Sequence, residues 1–438
     1  MHQLKQHKSF ALFVVEVMAM YIVGWVLIVP ASDIPFDIPM IRTAGTILIA
    51  LAGLQTAGYI VWWCLYHNLY KGIKYARMHA RLLRNIKMAL LDAGSGYVKE
   101  QYSGEEKVVT LPRIKISFSD DLTGGEVQIR NHIRYDMKLD KVNLSSALDS
   151  YIVNEKYTSS NENWHIFEFV DSEIDNQLVF NSYDEFVDHC KKYPDYTLFM
   201  DSQSNVNLFS FLLVGAAGSG KTYSLYSLIL NANNWTIRPQ FYFADPKITS
   251  LYVLGKKVAP EKTAGDIDEI ILLLDSFHQK MQVRKQEMQG KLEEKLDSDY
   301  RDWGLEPFIF VFDEFSSFQS SVNTVDKATR DKVAALLRNI VLQGRQLGFF
   351  LWIAMQKSDA TDIPTAIRDN LIWKVVLGNA PDTTYQTAFE HSADLPKRKF
   401  KPGQGLYTYM GVTRQPRVTS FPTLNFDILD AIKKSTTL

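Results

Sequence analysis

Cysteine is scarce in this chain, and its two copies stand far apart. Cys64 lies inside an apolar run and Cys190 lies near the middle of the chain. Neither belongs to a spacing that is typical of zinc ligands, so the pattern argues against a zinc site and against a disulfide framework. We expect both cysteines to be structural and the bulk of the chain to lie in a reducing compartment.

The chain also lacks a net charge of either sign. Its 48 Lys and Arg residues nearly balance 49 Asp and Glu residues, which gives a formal net charge of −1. This excludes a protein that is basic over its whole surface, so any contact with DNA must come from local patches. The length of 438 residues allows two or three domains with well-buried cores.

Long apolar runs are present, and two of them stand near the amino terminus. Residues 10–30 carry one charge, Glu16, and residues 43–66 carry none. Each run has about the 20 residues that cross a bilayer as a helix. The basic residues that flank the pair are Lys5, Lys8, Lys71, Lys74, Arg77, Arg81, Arg84 and Lys87. The positive-inside rule therefore predicts that residues 1–66 form a two-pass transmembrane hairpin, with both termini in the cytoplasm and the Pro- and Asp-containing loop 31–42 outside.

Two alternatives remain open for this region. Residues 10–30 could be a cleaved signal peptide, although the run is long and no small-residue cleavage site follows it. Glu16 could be functional, or it could face a neighbouring helix in an oligomer. Neither alternative changes the expectation that the remainder of the chain lies inside the cell.

The segment after the hairpin divides into two parts. Residues 67–95 predict a basic helix lying on anionic lipid headgroups, with DNA contact as the alternative. Residues 96–197 alternate apolar and polar positions around turn signals, which predicts a small α+β module without obvious chemistry. His132 and His165 in this module are isolated, so we expect ordinary polar residues there rather than metal ligands.

Residues 208–222 contain the strongest motif of the chain. An apolar strand runs into the pattern G-x-x-x-x-G-K-T and a helix follows, which is the context of a Walker A loop. The glycines let backbone N–H groups point at phosphate oxygens, the lysine adds a charge near the β- and γ-phosphates, and the threonine hydroxyl holds Mg²⁺. The predicted ATP-binding residues are Gly215, Gly218, Ser219, Gly220, Lys221 and Thr222. A chance glycine-rich turn would not require this strand and helix context.

A second nucleotide-site motif closes an apolar strand at residues 308–314. Asp313 is expected beside Mg²⁺ at the carboxyl edge of the sheet, and Glu314 is expected to polarise the attacking water as a general base. Strands and helices alternate after the Walker A loop, which predicts an α/β fold: a RecA-like P-loop motor with a parallel sheet over residues 198–438. The small α+β module and the two-helix transmembrane anchor precede it.

Two further catalytic roles have weaker support in the sequence. Gln356 ends the apolar strand 349–356, where it either senses the γ-phosphate or caps the strand end. An arginine finger could act on a neighbouring subunit's nucleotide, with Arg345 as our choice and Arg338 and Arg368 as the other candidates. Most such arginines are surface ion-pair partners.

Several pieces in a fixed order resemble the FtsK/SpoIIIE family of DNA-pumping ATPases. Besides the two Walker motifs, the pieces are Asp245-Pro-Lys, Gly-Arg-Gln-Leu-Gly at 344–348, Ala-Met-Gln at 354–356 and the segment 363–370. The resemblance covers about residues 198–410. It implies a hexameric ring, ATP at the subunit interfaces, Asp245 near the nucleotide, and DNA threaded through the pore.

The arrangement around the motor resembles TcpA-type coupling proteins of conjugative elements in Gram-positive bacteria. The sequence shows two apolar runs, no long linker and only a short helix after the motor, whereas chromosome-segregating members carry four spans and a winged helix. The resemblance implies a relaxase and transfer-channel proteins as partners at the cell membrane. A chromosome-partition translocase, a protein-secretion ATPase of the type VII kind and a membrane adaptor with a vestigial site are the alternatives. The basic cluster Lys397, Arg398, Lys399 and Lys401 is either a solvated loop or a phosphate contact.

Overall fold

The computed structural model describes most of the chain. The described residues are 5–29, 39–93, 97–99, 108–131, 139, 144, 147–171, 174–356, 363–390, 395, 399–413 and 415–437. The predictions made for the loop 31–38, for His132, and for Lys397 and Arg398 lie outside them. The chain divides into two compact units, Met1–Glu173 and Ile174–Leu438. This division falls earlier than the boundary at 197/198 expected from the sequence.

The first unit begins with two long helices, α1 and α2, which pack against each other. Gly24 and Gly45 allow this packing, because a Cβ on Gly45 would lie 2.8 Å from the carbonyl oxygen of Gly24. Close approach through small residues is typical of membrane helix pairs. The helices of this unit are α1 (Lys5–Ile28), α2 (Pro39–Tyr66) and α3 (Ile73–Asp92), with a 3₁₀ turn at Leu69–Lys71.

One described helix, Pro39–Tyr66, is long and apolar enough to cross a membrane, and the apolar stretch Leu12–Ile28 is shorter. The structure thus supports one candidate span where the sequence predicted two. A single such helix is a modest indication of a membrane anchor.

The remainder of the first unit is a small antiparallel sheet covered by α3. The strands are β1 (Tyr97–Lys99), β2 (Val108–Thr110), β3 (Ile114–Phe118), β4 (Gly124–Arg130), β5 (Tyr151–Thr158) and β6 (Trp164–Asp171). β1 pairs with β2, and the other four form a sheet in the order β3-β4-β6-β5. Leu82, Ile86 and Leu90 of α3 share one buried cluster with Val127 and Phe167 of the sheet. His165 is buried on β6.

The second unit is built on an eight-stranded mixed sheet. The strands of the whole unit are β7 (Val179–Phe180), β8 (Thr197–Phe199), β9 (Asn205–Asn207), β10 (Phe211–Gly215), β11 (Gln240–Ala244), β12 (Thr263–Ala264), β13 (Phe308–Phe312), β14 (Phe349–Met355), β15 (Trp373–Leu377), β16 (Gln404–Tyr409), β17 (Arg417–Ser420) and β18 (Thr423–Leu424). The large sheet has the order β12-β11-β13-β14-β10-β15-β16-β17. The first six strands in this order, β12, β11, β13, β14, β10 and β15, are parallel to one another. β16 and β17 are antiparallel to their neighbours.

The expected parallel sheet is therefore mixed. The direction of the strand 404–409 depends on the path of the preceding chain, which hydrophobic pattern does not encode. Both faces of the sheet are buried, which explains the continuous apolar strands. The helices of this unit are α4 (Tyr183–Cys190), α5 (Lys221–Asn233), α6 (Ser250–Val258), α7 (Ile267–Glu294), α8 (Phe315–Val322), α9 (Lys327–Leu347), α10 (Thr365–Arg368), α11 (Asp382–Phe389) and α12 (Ile428–Thr437), with a 3₁₀ turn at Pro260–Lys262.

Two apolar clusters lie on opposite faces of the sheet. On one face, α4, α5, α6 and α12 pack over side chains that include Trp352 and Trp373. On the other face, α7, α8, α9 and α11 pack over side chains that include Phe310 and Leu351. Residues of the parallel strands alternate between these faces, and all their carboxyl ends meet at one edge. The Walker motifs lie at that edge.

Candidate nucleotide site

The Walker A loop connects β10 to α5, as the sequence predicted. All five residues of β10 are buried, and α5 begins at Lys221. Gly218 and Gly220 have φ angles of 80° and 95°, which side chains with a Cβ adopt only at a cost. A Cβ on Gly220 would also lie 2.5 Å from the backbone nitrogen of Gly403. The loop therefore requires glycine for both its conformation and its packing.

Lys221 is held between the two acidic residues that follow β13. Its ammonium lies 3.2 Å from Asp313 Oδ1 and 3.2 Å from Glu314 Oε2, and it donates a hydrogen bond to the latter. The three side chains are only 9–10% exposed. β14 separates β10 from β13 in the sheet, so residues 93 positions apart meet at one edge. The two Walker motifs thus form one site.

Asp313 occupies an electrostatically costly position. Burial raises the pKa of its carboxyl group, the Lys221 charge opposes that effect, and Asp245 and Glu314 add to it. Asp313 Oδ1 is buried and accepts no hydrogen bond from the residues that the structure describes, although the ammonium is near. A buried carboxylate oxygen with spare acceptor capacity fits a ligand of a nucleotide-bound Mg²⁺.

Glu314 shows backbone strain where the general base was predicted. Its φ and ψ angles are 56° and 54°, in the left-handed region, and it is the residue immediately before α8. Non-glycine residues in this region carry strain that is concentrated at functional sites. Phe315 and Phe318, both fully buried, anchor the first turns of α8 behind it. This packing holds the Glu314 carboxylate toward the Walker A lysine.

Asp245, which the family resemblance places near the nucleotide, lies close enough to Asp313 to raise the pKa of that carboxyl group. It is completely buried, and its carboxylate accepts hydrogen bonds from Lys247 N (3.1 Å), Thr249 N (2.7 Å), Thr249 Oγ1 (2.7 Å) and Tyr252 N (3.2 Å). These bonds shape the loop between β11 and α6. Lys247 of that loop also reaches the site, with its ammonium 3.6 Å from Glu314 Oε2.

A glycine that the sequence reasoning missed supports the Walker A loop. Gly403 N–H donates a 2.7 Å hydrogen bond to the carbonyl oxygen of Ser219, while Ser219 Oγ is buried without a partner among the described residues. Gln177 Nε2 in turn donates to the carbonyl oxygens of Pro402 and Phe421 at 3.3 and 2.9 Å. The Pro-Gly pair at 402–403 predicts a turn. It does not indicate that this turn contacts the Walker A loop.

Gln356 lies at the same edge of the sheet as the Walker motifs. It is exposed and directly follows β14, the strand between the two that carry those motifs. Lys399 and Lys401 precede β16 nearby in the chain. Lys401 pairs with Asp175 at 3.0 Å and is 70% exposed. The roles predicted for Gln356 and for the basic cluster stay predictions.

The three candidate finger arginines are outside this site. Arg345 lies in the last turn of α9, and its guanidinium is 5.1 Å from the ring of Phe209, which precedes β10. It therefore lies at the amino edge of the sheet, opposite the edge that carries the Walker motifs. Arg338 is exposed on α9. Arg368 forms an ion pair with Glu390, whose carboxylate oxygen lies 3.4 Å from the arginine Nε.

Comparisons with known proteins agree with the motif reading. No family model matches the chain. The FtsK domain-containing protein YdcQ of Bacillus subtilis (strain 168) is 29% identical over 194 residues, which is 44% of this chain and 39% of that protein. The chain thus aligns with well under half of this curated relative.

Two solved structures are also similar. The pCW3 conjugation coupling protein TcpA, in a monomer form with ATPγS, is 17% identical over 80% of this chain and 98% of that chain, with a TM-score of 0.48. The cytoplasmic domain of the type VII secretion ATPase EccC of Thermomonospora curvata is 16% identical over 55% and 30%, with a TM-score of 0.42. The resemblance to the FtsK/SpoIIIE family that the motifs indicated is confirmed by the curated relative.

Proposed function

We propose that this protein is a membrane-anchored, hexameric, ATP-driven DNA translocase that acts as the coupling protein in conjugative DNA transfer. The observation that carries the ATPase part is the convergence of Lys221 with Asp313 and Glu314 at one edge of the sheet. The similarity to an FtsK domain-containing protein supports the translocase part. The apolar helix Pro39–Tyr66 supports attachment to a membrane. The apolar run 10–30 and the flanking basic residues of the sequence support a two-pass anchor with cytoplasmic termini.

The site residues suit ATP hydrolysis. Thr222 and Asp313 would hold Mg²⁺, which supplies charge neutralisation at the phosphates when it is bound. Lys221 would exchange its ion pairs with Asp313 and Glu314 for the β- and γ-phosphates of ATP. Glu314, released from the lysine, would accept a proton from the attacking water. Lys247 remains close enough to hold the Glu314 carboxylate in place.

DNA stimulation of turnover is the first test. The full-length protein in detergent should hydrolyse ATP faster when DNA is added at low salt, and the stimulation should weaken as salt screens phosphate contacts. A rate that DNA does not change at low salt would contradict the translocase and would favour a protein-secretion ATPase of the type VII kind. Neighbouring genes for a relaxase and channel proteins would separate conjugation from chromosome partition.

The hexamer and the trans finger can be tested together. Subunits with Lys221→Ala keep Arg345, and subunits with Arg345→Ala keep the Walker A loop. If Arg345 acts across a subunit interface, a mixture of the two inactive variants regains part of the turnover. Arg338→Ala serves as the matched control, because this arginine lies on the same helix and should leave turnover unchanged. No recovery in a mixture that mass photometry shows to be assembled would contradict the assignment of Arg345.

A further inference from the structure

The first unit contains a basic pocket at the end of α2. Its volume is about 490 Å³. Its floor is apolar, with Leu83 from α3 and Ile116 from β3, and none of its lining residues is acidic. Its polar lining consists of Tyr66, Asn68, His79, Lys87, Arg113 and Lys115. Three cationic side chains therefore share one concave surface.

These cations are not neutralised by the part of the chain that the structure describes. Within it, Lys87, Arg113 and Lys115 form no ion pair, whereas Arg81 on the same helix as Lys87 pairs with Asp149 at 2.9 Å. Lys115 rests over the ring of Trp164, 4.4 Å from the ring centre. Burial lowers the pKa of Lys87, as expected for an ammonium that faces no counter-charge.

A pair of buried histidines forms one wall of this region. His67 and His79 are each 7% exposed, and their Nδ1 atoms lie 2.9 Å apart. One ring must donate to the other, so this contact holds the His79 ring in place. Burial lowers the pKa of both side chains, that of His79 to about 4. At neutral pH the pair therefore adds hydrogen-bonding capacity to the pocket but no positive charge.

We propose that this pocket binds a phosphate-bearing anion through Lys87, Arg113 and Lys115. The headgroup of an anionic phospholipid and a free phosphate are the two sources of that chemistry. The position of the pocket favours the headgroup, because Tyr66 and Asn68 lie at and just beyond the end of the candidate membrane helix Pro39–Tyr66. Headgroups lie at that level of a bilayer. The lipid source rests on the proposed membrane anchor, whereas the anion site does not.

Headgroup binding can be measured with the full chain in nanodiscs. Discs of phosphatidylcholine alone are compared with discs that also contain phosphatidylglycerol, and native mass spectrometry counts the lipids that stay bound after release. Arg113→Gln/Lys115→Gln is the test variant, because both side chains are exposed and their replacement should leave the fold intact. Arg77→Gln/Arg84→Gln is the control. It removes the same charge from exposed sites on α3 outside the pocket.

The proposal expects retention of phosphatidylglycerol to fall roughly tenfold or more in the test variant and to change less than twofold in the control. Equal losses in the two variants would show a general basic surface and would overturn the pocket. Binding of phosphatidylcholine as tight as that of phosphatidylglycerol would overturn it as well. A second arm titrates inorganic phosphate into lipid-free protein in detergent. Saturable binding that is lost only in the test variant supports the same site and assigns a soluble phosphate as its source.

ATPase assays keep this proposal separate from the proposed function. The test variant should retain turnover without DNA, because neither residue belongs to the nucleotide site. Loss of headgroup retention with unchanged turnover supports the pocket even if the translocase reading fails. Unchanged headgroup retention in the test variant contradicts the pocket even if DNA stimulates hydrolysis.

Discussion

The two edges of the central sheet each carry a cluster of acidic and basic side chains, but the pKa of the carboxyl group shifts in opposite directions in the two clusters. At the carboxyl edge, Lys221 pairs with Asp313 and Glu314. At the amino edge, Lys374 pairs with Glu390 at 2.6 Å, and Arg368 lies 3.4 Å from the same carboxylate oxygen. The Lys374 side chain is 8% exposed. Both glutamates have left-handed backbone angles, with φ of 56° and 59°.

The difference lies in how many charges of each sign are buried. At the carboxyl edge, Asp313 and Glu314 are buried together with Lys221, whereas Lys247, 3.6 Å from Glu314, is 44% exposed. Burial raises the pKa of Asp313 despite Lys221. At the amino edge, the largely buried cations Lys374 and Arg368 face the partly exposed carboxylates of Glu390 and Asp369. There Lys374 and Arg368 outweigh burial and lower the pKa of Glu390. A shortage of positive charge leaves room for Mg²⁺ and a lysine free to exchange partners. The amino-edge cluster is internally balanced and fits a stabilising role.

Removing the lysine of the carboxyl edge has the largest expected effect. Lys221→Ala should lower ATP turnover by roughly 10³-fold, because the phosphates lose their main charge contact. Phosphate release under steady-state conditions measures this. Lys332→Ala, on the exposed face of α9, is the control and should turn over normally. Unchanged turnover in Lys221→Ala would mean that the nucleotide site lies elsewhere.

Asp313→Asn separates activity from stability at the same edge. Turnover should fall by roughly 10²-fold, since the amide is a weak ligand for Mg²⁺. The thermal midpoint should stay the same or rise by a few degrees, because a carboxylate disfavoured by burial is removed. Calorimetry of the full chain in detergent checks the midpoint. A clear fall in the midpoint would show that Asp313 stabilises the fold and would remove the contrast between the edges.

Glu390→Gln tests the amino edge. It leaves the buried Lys374 ammonium beside Arg368 without a carboxylate, at a cost of about 1–2 kcal/mol once the exposure of Glu390 is discounted. For a unit of this size the thermal midpoint should fall by roughly 2–4 °C. Turnover well below that temperature should remain within about twofold of the unmodified protein. Glu294→Gln, on the exposed end of α7, should change neither quantity.

The pH dependence of stability offers the smallest and sharpest contrast. Because the folded-state pKa of Glu390 is lowered from 4.5, its contribution is present above about pH 4.5 and is lost as pH falls through the folded value. The difference in midpoint between the unmodified protein and Glu390→Gln should therefore shrink below about pH 4.5. The folded-state pKa of Asp313 is raised rather than lowered. The thermal midpoint of Asp313→Asn should therefore lose any excess over that of the unmodified protein as the pH falls and Asp313 becomes protonated. A constant gap for Glu390→Gln across this range would contradict the assigned pairing.

The nucleotide site could be predicted well because its signals are local. A strand, a glycine loop and a helix start stand next to each other in residues 208–222, and parallel strands bring Asp313 to the same edge. The different contacts of Asp245 and Lys247 could not be predicted from the sequence. Only the folded loop shows that the aspartate bonds to its own backbone while the lysine reaches Glu314.

Sequence reasoning failed where the answer depended on distant pairing. The antiparallel direction of β16, the support of Ser219 by Gly403, and the use of Arg368 by Glu390 all join residues brought together by the fold. The basic pocket is a similar case. In the sequence, Lys87 belongs to a basic helix, and Arg113 and Lys115 belong to the small α+β module. Nothing in the sequence indicates that the three side chains line one cavity.

The sequence by itself determined the phosphate chemistry of this protein, because glycine conformation, a lysine charge and an apolar strand before acids act over a few neighbouring residues. It also indicated the apolar helices, since the bilayer sets their length. The tertiary structure alone decided which charges are paired and which are left without a partner. That outcome depends on burial and on separations across the sheet, and both determine the free energy of a charge far more than its place in the chain.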